Sequence, residues 1–185
     1  MEKRNYSKKI VFAGGPGTGK STMIEKLDQS GHKVLHEVSR EIVQHARKNG
    51  IEHLFLNDPL AFSNKLLEKR IKQYQTADNT NSQHVFIDRG IPEITAYLDY
   101  NKTPYPAKFV KANKHHPYDL VFLFPVWEAI FKQDDVRYET LEQSKHIQEN
   151  LIKTYETLGY KLVKVPKAST SVRKEFILNT LSHAG

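Results

Sequence analysis

Cysteine is absent from the 185-residue sequence. The absence excludes a disulfide framework, a thiolate metal site and a cysteine nucleophile, and it suits a reducing compartment. Long apolar runs are missing too, none approaching the roughly 20 residues a membrane-spanning helix needs. The polar opening Met1–Ser7 has no apolar stretch of the kind an export signal requires, so a cytoplasmic location is expected. No internal repeat, low-complexity tract or linker divides the chain, and its length predicts one domain over residues 1–185. Lys and Arg number 28 against 21 Asp and Glu, a formal charge of +7, but they are spread along the chain rather than gathered into a block. Such a surface attracts an anionic ligand or simply keeps the protein dissolved; anionic lipid is a weakly signalled partner. Nucleic acid is disfavoured, because no aromatic-basic motif of the known modules is present.

What is present begins with Gly14-Gly15-Pro16-Gly17-Thr18-Gly19-Lys20-Ser21, which fits the phosphate-loop pattern GxxxxGK[ST]. The run Ile10-Val11-Phe12-Ala13 supplies the strand that the pattern follows, and a helix from Gly19 to Gln29, stopped near Gly31, supplies what comes after it. Glycines let successive N–H groups turn inward onto phosphate oxygens, and the helix adds its positive end. Residues Gly14 to Thr22 are therefore the expected nucleoside triphosphate site. Lys20 should reach the β- and γ-phosphates, and the Ser21 hydroxyl should meet Mg²⁺.

Beyond the loop, short apolar runs alternate with longer helical patterns, the mark of a parallel sheet wrapped by helices. Five strands are predicted, at 8–13, 33–37, 84–88, 120–124 and 160–165. Asp58-Pro59 predicts a capped helix start, followed by the stripe Leu60, Leu67, Ile71, Tyr74. A second stripe, Leu141 to Leu158, stops at Gly159, and a final helix is expected with its cap near Ser171. Residues 100–106 and 132–138 read as loops.

Ligands of such sheets bind beyond the carboxyl ends of the strands, so polar residues there are candidates. Asp88-Arg89-Gly90 follows the third strand; the acid can hold Mg²⁺, and the arginine can grip phosphate. Arg89 stands where hydrolytic motors usually carry a water-activating glutamate, and Asn101-Lys102-Thr103-Pro104 lacks the aspartate of a guanine-reading NKxD, so the motor and conventional GTPase readings lose weight. Glu37, expected at the end of the second strand, is a candidate acceptor base, with Arg40 beside it for acceptor phosphate. Arg137, with Lys132 second, belongs to a lid-like loop at about 132–138 that could exclude water from the phosphates. His115-His116 reads as a surface turn rather than a metal site, because no acidic or cysteine ligand accompanies it at useful spacing. Trp127 reads equally as an acceptor-pocket wall or core, and Pro166-Lys167-Ala168 is placed by topology near a nucleobase.

Taken over residues 8–182, the chain resembles a family of small phosphate-loop proteins labelled AAA-type predicted ATPases. That family is similar to the nicotinamide riboside kinase domain of the bacterial NAD regulator and, more loosely, to deoxynucleoside and thymidylate kinases. The matching residues are Gly14 to Ser21, Glu37 to Glu41, Ile87-Asp88-Arg89-Gly90, Phe124-Pro125 with Trp127, Asp134-Asp135 with Arg137, and the stretch from Ile147 to Pro166. The resemblance implies a three-layer α/β fold with a five-stranded parallel sheet, helices on both faces, a lid after the fourth strand, and ATP with Mg²⁺. It also implies two functions. In the first, a kinase, Lys20 holds the triphosphate, Ser21 and Asp88 organise Mg²⁺, Glu37 orients a hydroxyl on a small nucleoside-like or nucleotide-like acceptor, and Arg89 and Arg137 offset developing charge. The second is a nucleotide-gated ATPase or GTPase with a protein or anionic-lipid partner, since an animal relative is understood to bind GTP and phosphatidic acid.

Overall fold

The computed structural model describes residues 7–51, 54–131 and 139–183. The lid-like loop expected at 132–138, and with it Lys132, Asp134, Asp135 and Arg137, lies outside the described residues. The strands are β1 (Lys8–Ala13), β2 (Lys33–Leu35), β3 (His84–Asp88), β4 (Leu120–Leu123) and β5 (Leu162–Lys164). They form one parallel sheet in the order β2-β3-β1-β4-β5. The helices are α1 (Lys20–Asp28), α2 (Ser39–Lys48), α3 (Leu54–Asn57), α4 (Pro59–Asp78), α5 (Pro92–Tyr100), α6 (Lys108–His115), α7 (Leu141–Thr157) and α8 (Thr170–His183), with a 3₁₀ turn at Glu128–Ile130.

Successive residues of a strand point to opposite faces, and this alternation builds two cores. Ile10, Phe12, Phe86 and Phe122 meet Met23, Ile24 and Leu27 of α1 and Ile177 and Leu181 of α8. Val11, Ala13, Val85, Ile87 and Val121 meet Ala77 of α4 and Tyr155 of α7 on the other face. Phe12 is the hub of the first core, its ring centroid 5.7 Å from Phe86, 5.9 Å from Phe122 and 4.8 Å from Phe124. A third cluster, including Ile42, Phe62, Leu66, Ile94 and Phe109, joins α2, α4, α5 and α6 to one another.

Local signals explain several boundaries. The Asp58 carboxylate accepts from Ala61 N–H at 2.9 Å with Pro59 at the first helical position, which starts α4 as predicted. Thr140 and Gln143 form a reciprocal capping box that starts α7. Other expectations need correction. β2 ends at Leu35, whose partner in β3 is Ile87, so Glu37 sits in the connection to α2 and not on the strand. β4 and β5 are likewise shorter than predicted. α8 begins at Thr170, with the Ser169 hydroxyl accepting from Val172 N–H at 3.4 Å, rather than being capped near Ser171.

β1 and β3 are neighbours whose onward connections run to opposite sides of the sheet, β1 toward β2 and β3 across to β4. This is the switch point at which doubly wound sheets open a crevice. The register pairs Phe12 with Asp88, which places the end of β3 beside the root of the phosphate loop.

Phe12→Ala should lower unfolding stability by about 3–5 kcal/mol, because it empties the hub of a close-packed aromatic cluster. A urea titration followed by circular dichroism measures it; a midpoint equal to that of the unaltered protein would refute the hub assignment.

Candidate active site

The phosphate loop leaves β1 at Ala13 and closes into α1, whose N-cap is Gly19 at φ +85°. In the loop the Lys20 ammonium donates to the carbonyls of Gly14 at 2.7 Å and Gly15 at 2.8 Å. Two contacts brace the loop from outside. The fully buried Ser144 hydroxyl of α7 donates to Pro16 O at 2.8 Å, and the Phe131 ring lies against Gly17, where any Cβ would come within 2.6 Å of it. Gly17 also has φ +73°, so a side chain there would meet both a steric and a backbone penalty. Burial lowers the Lys20 pKa to about 7, the Arg89 charge helping, although Glu93, Asp88 and Glu37 oppose them.

Asp88 ends β3, and its Oδ2 accepts from the Ser21 hydroxyl at 2.9 Å. Its Oδ1 is buried and has no partner among the described residues. A carboxylate oxygen left open beside a hydroxyl, next to a phosphate loop, fits the oxygen-rich donor set Mg²⁺ takes. Burial holds the Asp88 pKa up, and the charge of Glu37 adds to it. A dication at Oδ1 would oppose both effects.

Arg89 follows with φ +73°, a backbone conformation that costs a non-glycine residue about 1–3 kcal/mol. Its side chain is held on two sides. Nε lies 2.6 Å from Glu37 Oε2, and Nη1 donates to Glu93 Oε2 at 2.7 Å. Arg70, buried in α4, donates to Gly90 O at 2.6 Å and approaches Glu37 Oε1 at 3.4 Å. Glu37 Oε1 also accepts from Ser39 N–H at 3.0 Å. Burial pushes the Glu37 pKa up, but Arg70, Arg89 and the Ser39 N–H together bring it below the ordinary carboxylate value, so Glu37 is ionised. Its Oε2 lies close to Arg89 yet has no aligned hydrogen-bond donor, so it keeps capacity to accept one.

Lys20, Ser21, Glu37, Arg70, Arg89 and Glu93 line one cavity of about 570 Å³. One end carries Pro16 to Thr22, with Ile130 and Arg173 beside them. The other end is walled by Val43, Phe55, Phe62, Leu66, Ile94 and Tyr97, and carries Glu37, Ser39, Arg40, Arg70, Arg89 and Glu93. Phe55 makes edge contacts with Phe62 at 5.4 Å and Tyr97 at 6.2 Å, giving that end a rigid aromatic corner.

A family model described as "AAA domain" matches residues 9–173. The chain belongs to this AAA domain family. Among solved structures, the AAA domain is similar to a deoxyadenosine kinase from M. mycoides bound to the products dCMP and dCDP: identity 19%, TM-score 0.69, covering 95% of this chain and 99% of that one. Thymidylate kinase from Candida albicans matches at 15% identity and TM-score 0.68, covering 97% of this chain and 92% of that one. NadR in complex with NR matches at 18% and 0.70, over 96% of this chain but 49% of NadR, so the AAA domain spans about half of that protein. At these identities the likeness establishes the fold. No curated protein sequence matches significantly.

Of the residues expected at the site, Pro16 to Thr22, Glu37 and Arg89 line the cavity, and Asp88 does not line it but accepts from Ser21, which does. Gly14 and Gly15 do not line it, but their carbonyls hold Lys20. Arg137 lies outside the described residues. Trp127 is half-buried and does not line the cavity, nor does Pro166-Lys167-Ala168. His116 caps α6, its ring edge-on to Tyr74, and no metal-ligand cluster of three or more His, Cys, Asp or Glu occurs among the described residues. No described helix is long and apolar enough to cross a membrane.

Sequence reasoning missed Arg70, Glu93, Tyr97, Phe55, Phe62 and Arg173. Glu93 had a usable signal, standing four residues after Arg89 at the start of a helix. Arg70 had none, because it adjoins an apolar stripe and looks like a solvated face residue.

A Lys20 pKa near 7 leaves much of the amine uncharged at pH 8 in the free protein, and bound phosphate would raise that pKa. Triphosphate binding at pH 8 should therefore take up protons, and Lys20→Arg should remove the uptake. Calorimetry in two buffers of different ionisation enthalpy reads it; identical heats in both buffers would contradict the depressed pKa.

Proposed function

We propose that this AAA domain is an ATP- and Mg²⁺-dependent phosphotransferase that moves a γ-phosphoryl group onto a hydroxyl of a nucleoside- or nucleotide-like small molecule, GTP being the alternative donor. We also propose that it works as a single phosphate-loop unit in the cytoplasm. The observation that carries the activity is the lining of the cavity: the phosphate loop and the aromatic side chains of Phe55, Phe62 and Tyr97 line a single cavity, with the ionised Glu37 carboxylate among them. Relatives in fold that are named deoxyadenosine and thymidylate kinases support the same reading.

In this reading the loop amides and Lys20 bind the β- and γ-phosphates and fix their orientation. Ser21 and Asp88 would hold Mg²⁺, which supplies charge neutralisation on the phosphoryl oxygens. Glu37 accepts a hydrogen bond from the acceptor hydroxyl through Oε2 and aims that oxygen in line with the transferring group. Because the transition state of phosphoryl transfer is loose, orienting the hydroxyl matters more than early removal of its proton. Arg89, neutralised by Glu37 and Glu93, serves mainly to hold Glu37 in place. The Phe55, Phe62, Leu66 and Tyr97 walls exclude water and suit a flat, partly apolar acceptor.

The test is γ-phosphate transfer from Mg-ATP across a panel of nucleosides, nucleotides and nicotinamide riboside, with ADP release followed in parallel. One acceptor should accelerate ADP release and appear as a phosphorylated product. Glu37→Gln should cut that transfer by about 10²–10⁴-fold while ATP affinity stays within about twofold. Slow ADP release indifferent to every acceptor would reject the kinase and favour a nucleotide-gated binding protein.

A further inference from the structure

Arg173 stands in the first turn of α8 and is only 6% exposed. Two turns of the same helix, ending in Ile177 and Leu181, anchor it in the core beneath α1. Its guanidinium reaches over the start of α1: a Cβ on Gly19 would fall 2.7 Å from Arg173 Nη1. The Gly19 position therefore admits glycine for two reasons, φ +85° and this close approach.

The surroundings of this cation differ from those of Arg70 and Arg89, which line the same cavity. Arg70 and Arg89 each face a carboxylate. The Arg173 side chain makes no hydrogen bond or ion pair with any described residue, and its Nε is buried without a partner. Burial pulls its pKa down, with no carboxylate among the described residues opposing it. The helix end it covers is itself positive, since the first N–H groups of α1 have no intrahelical acceptors. Lys20 adds a third source of positive charge within the same wall. A buried charge unpaired at such a place is costly unless an anion enters.

That anion has room, because Arg173 lines the cavity together with Gly19, Lys20, Ser21 and Thr22. We propose that Arg173 is a phosphate-contacting residue of the nucleotide site, its planar fork donating to phosphoryl oxygens of the bound nucleotide from the α8 side. Arginine suits this role because its geometry matches two oxygens at once and its charge does not titrate away. The assignment rests on the nucleotide reading of the phosphate loop and not on transfer to an acceptor. It gives α8 a part in ligand binding: the helix that closes the first core also completes the cradle, so nucleotide should tie α8 to α1.

Arg173→Met keeps the apolar stem and removes the charge, while Arg173→Lys keeps a point charge without the fork. Each is compared with the unaltered protein for affinity toward Mg-ATP, ADP and adenosine, and for Tm with and without nucleotide. Arg173→Met should weaken ATP and ADP by about ten- to a hundredfold, the range of a charge-assisted hydrogen bond, with adenosine unchanged. Arg173→Lys should fall between the two. The Tm of nucleotide-free Arg173→Met should be equal to or above that of the parent, since an unpaired buried cation is gone, and its nucleotide-induced rise should shrink. A lower nucleotide-free Tm with unchanged ATP affinity would reduce Arg173 to packing and overturn the proposal. Equal losses for ATP and adenosine would overturn it in favour of a base or ribose contact. If the unaltered protein binds ATP but phosphorylates nothing, the kinase reading fails while this one is still judged by the variants; failure to bind any nucleotide would remove both.

Discussion

The pairing of Arg89 with Glu37 and Glu93 is the constraint on which the rest of the site depends. A largely buried guanidinium is costly unless an anion pairs with it, and a carboxylate beside it is costly unless cations do. Here Lys20, Arg70 and Arg89 act electrostatically on Glu37, Asp88 and Glu93, so three cations face three carboxylates within the cluster. The partners come from different elements: Arg89 from the end of β3, Glu37 from the connection before α2, Arg70 from α4 and Glu93 from α5. Satisfying them fixes where the helices beyond the sheet's end can stand. The left-handed backbone at Arg89 is the local penalty of that arrangement, and it is held by a hydrogen bond from Arg89 N to Phe12 O at 3.2 Å.

The two ends of the cavity rest on different supports. The phosphate end grows out of β1, is clamped by Ser144 of α7 and lies against the core that α1 and α8 form with the sheet. The chamber at the other end is walled by side chains of the separate apolar cluster that joins α2, α4, α5 and α6. Changes in that cluster can reshape the chamber without disturbing the cradle. This division is consistent with a common phosphate chemistry on a fold that accommodates different small molecules.

Much of this was readable along the chain. The phosphate loop, Asp88-Arg89-Gly90, and the Asp58-Pro59 start of α4 are contiguous signals whose meaning does not depend on distant residues. The three central strands β1, β3 and β4 are legible because buried strands are written as unbroken apolar runs, whereas the edge strands β2 and β5 carry only short, partly exposed ones. α5 went unread for a physical reason: Pro92, Glu93, Ile94, Thr95, Ala96 and Leu98 are all buried, so it shows no one-sided apolar stripe. In sequence β2 looks two residues longer because Glu37 follows its apolar stretch closely, while its ladder with β3 ends at the Leu35–Ile87 pair although β3 itself continues to Asp88.

The sequence by itself determined the chemistry of the loop: glycine spacing, Lys20 and Ser21 dictate a backbone that turns its amides inward, and that is a matter of dihedral angles over a few residues. Only the tertiary structure decided which charges meet. Glu37, Arg70, Arg89 and Glu93 converge, and Arg173 reaches Gly19, because strand order and helix packing bring together positions far apart in the chain. Through-space pairing between such positions has no periodicity or motif to announce it, so a paired buried arginine, an unpaired one and a solvated one look alike until the chain is folded.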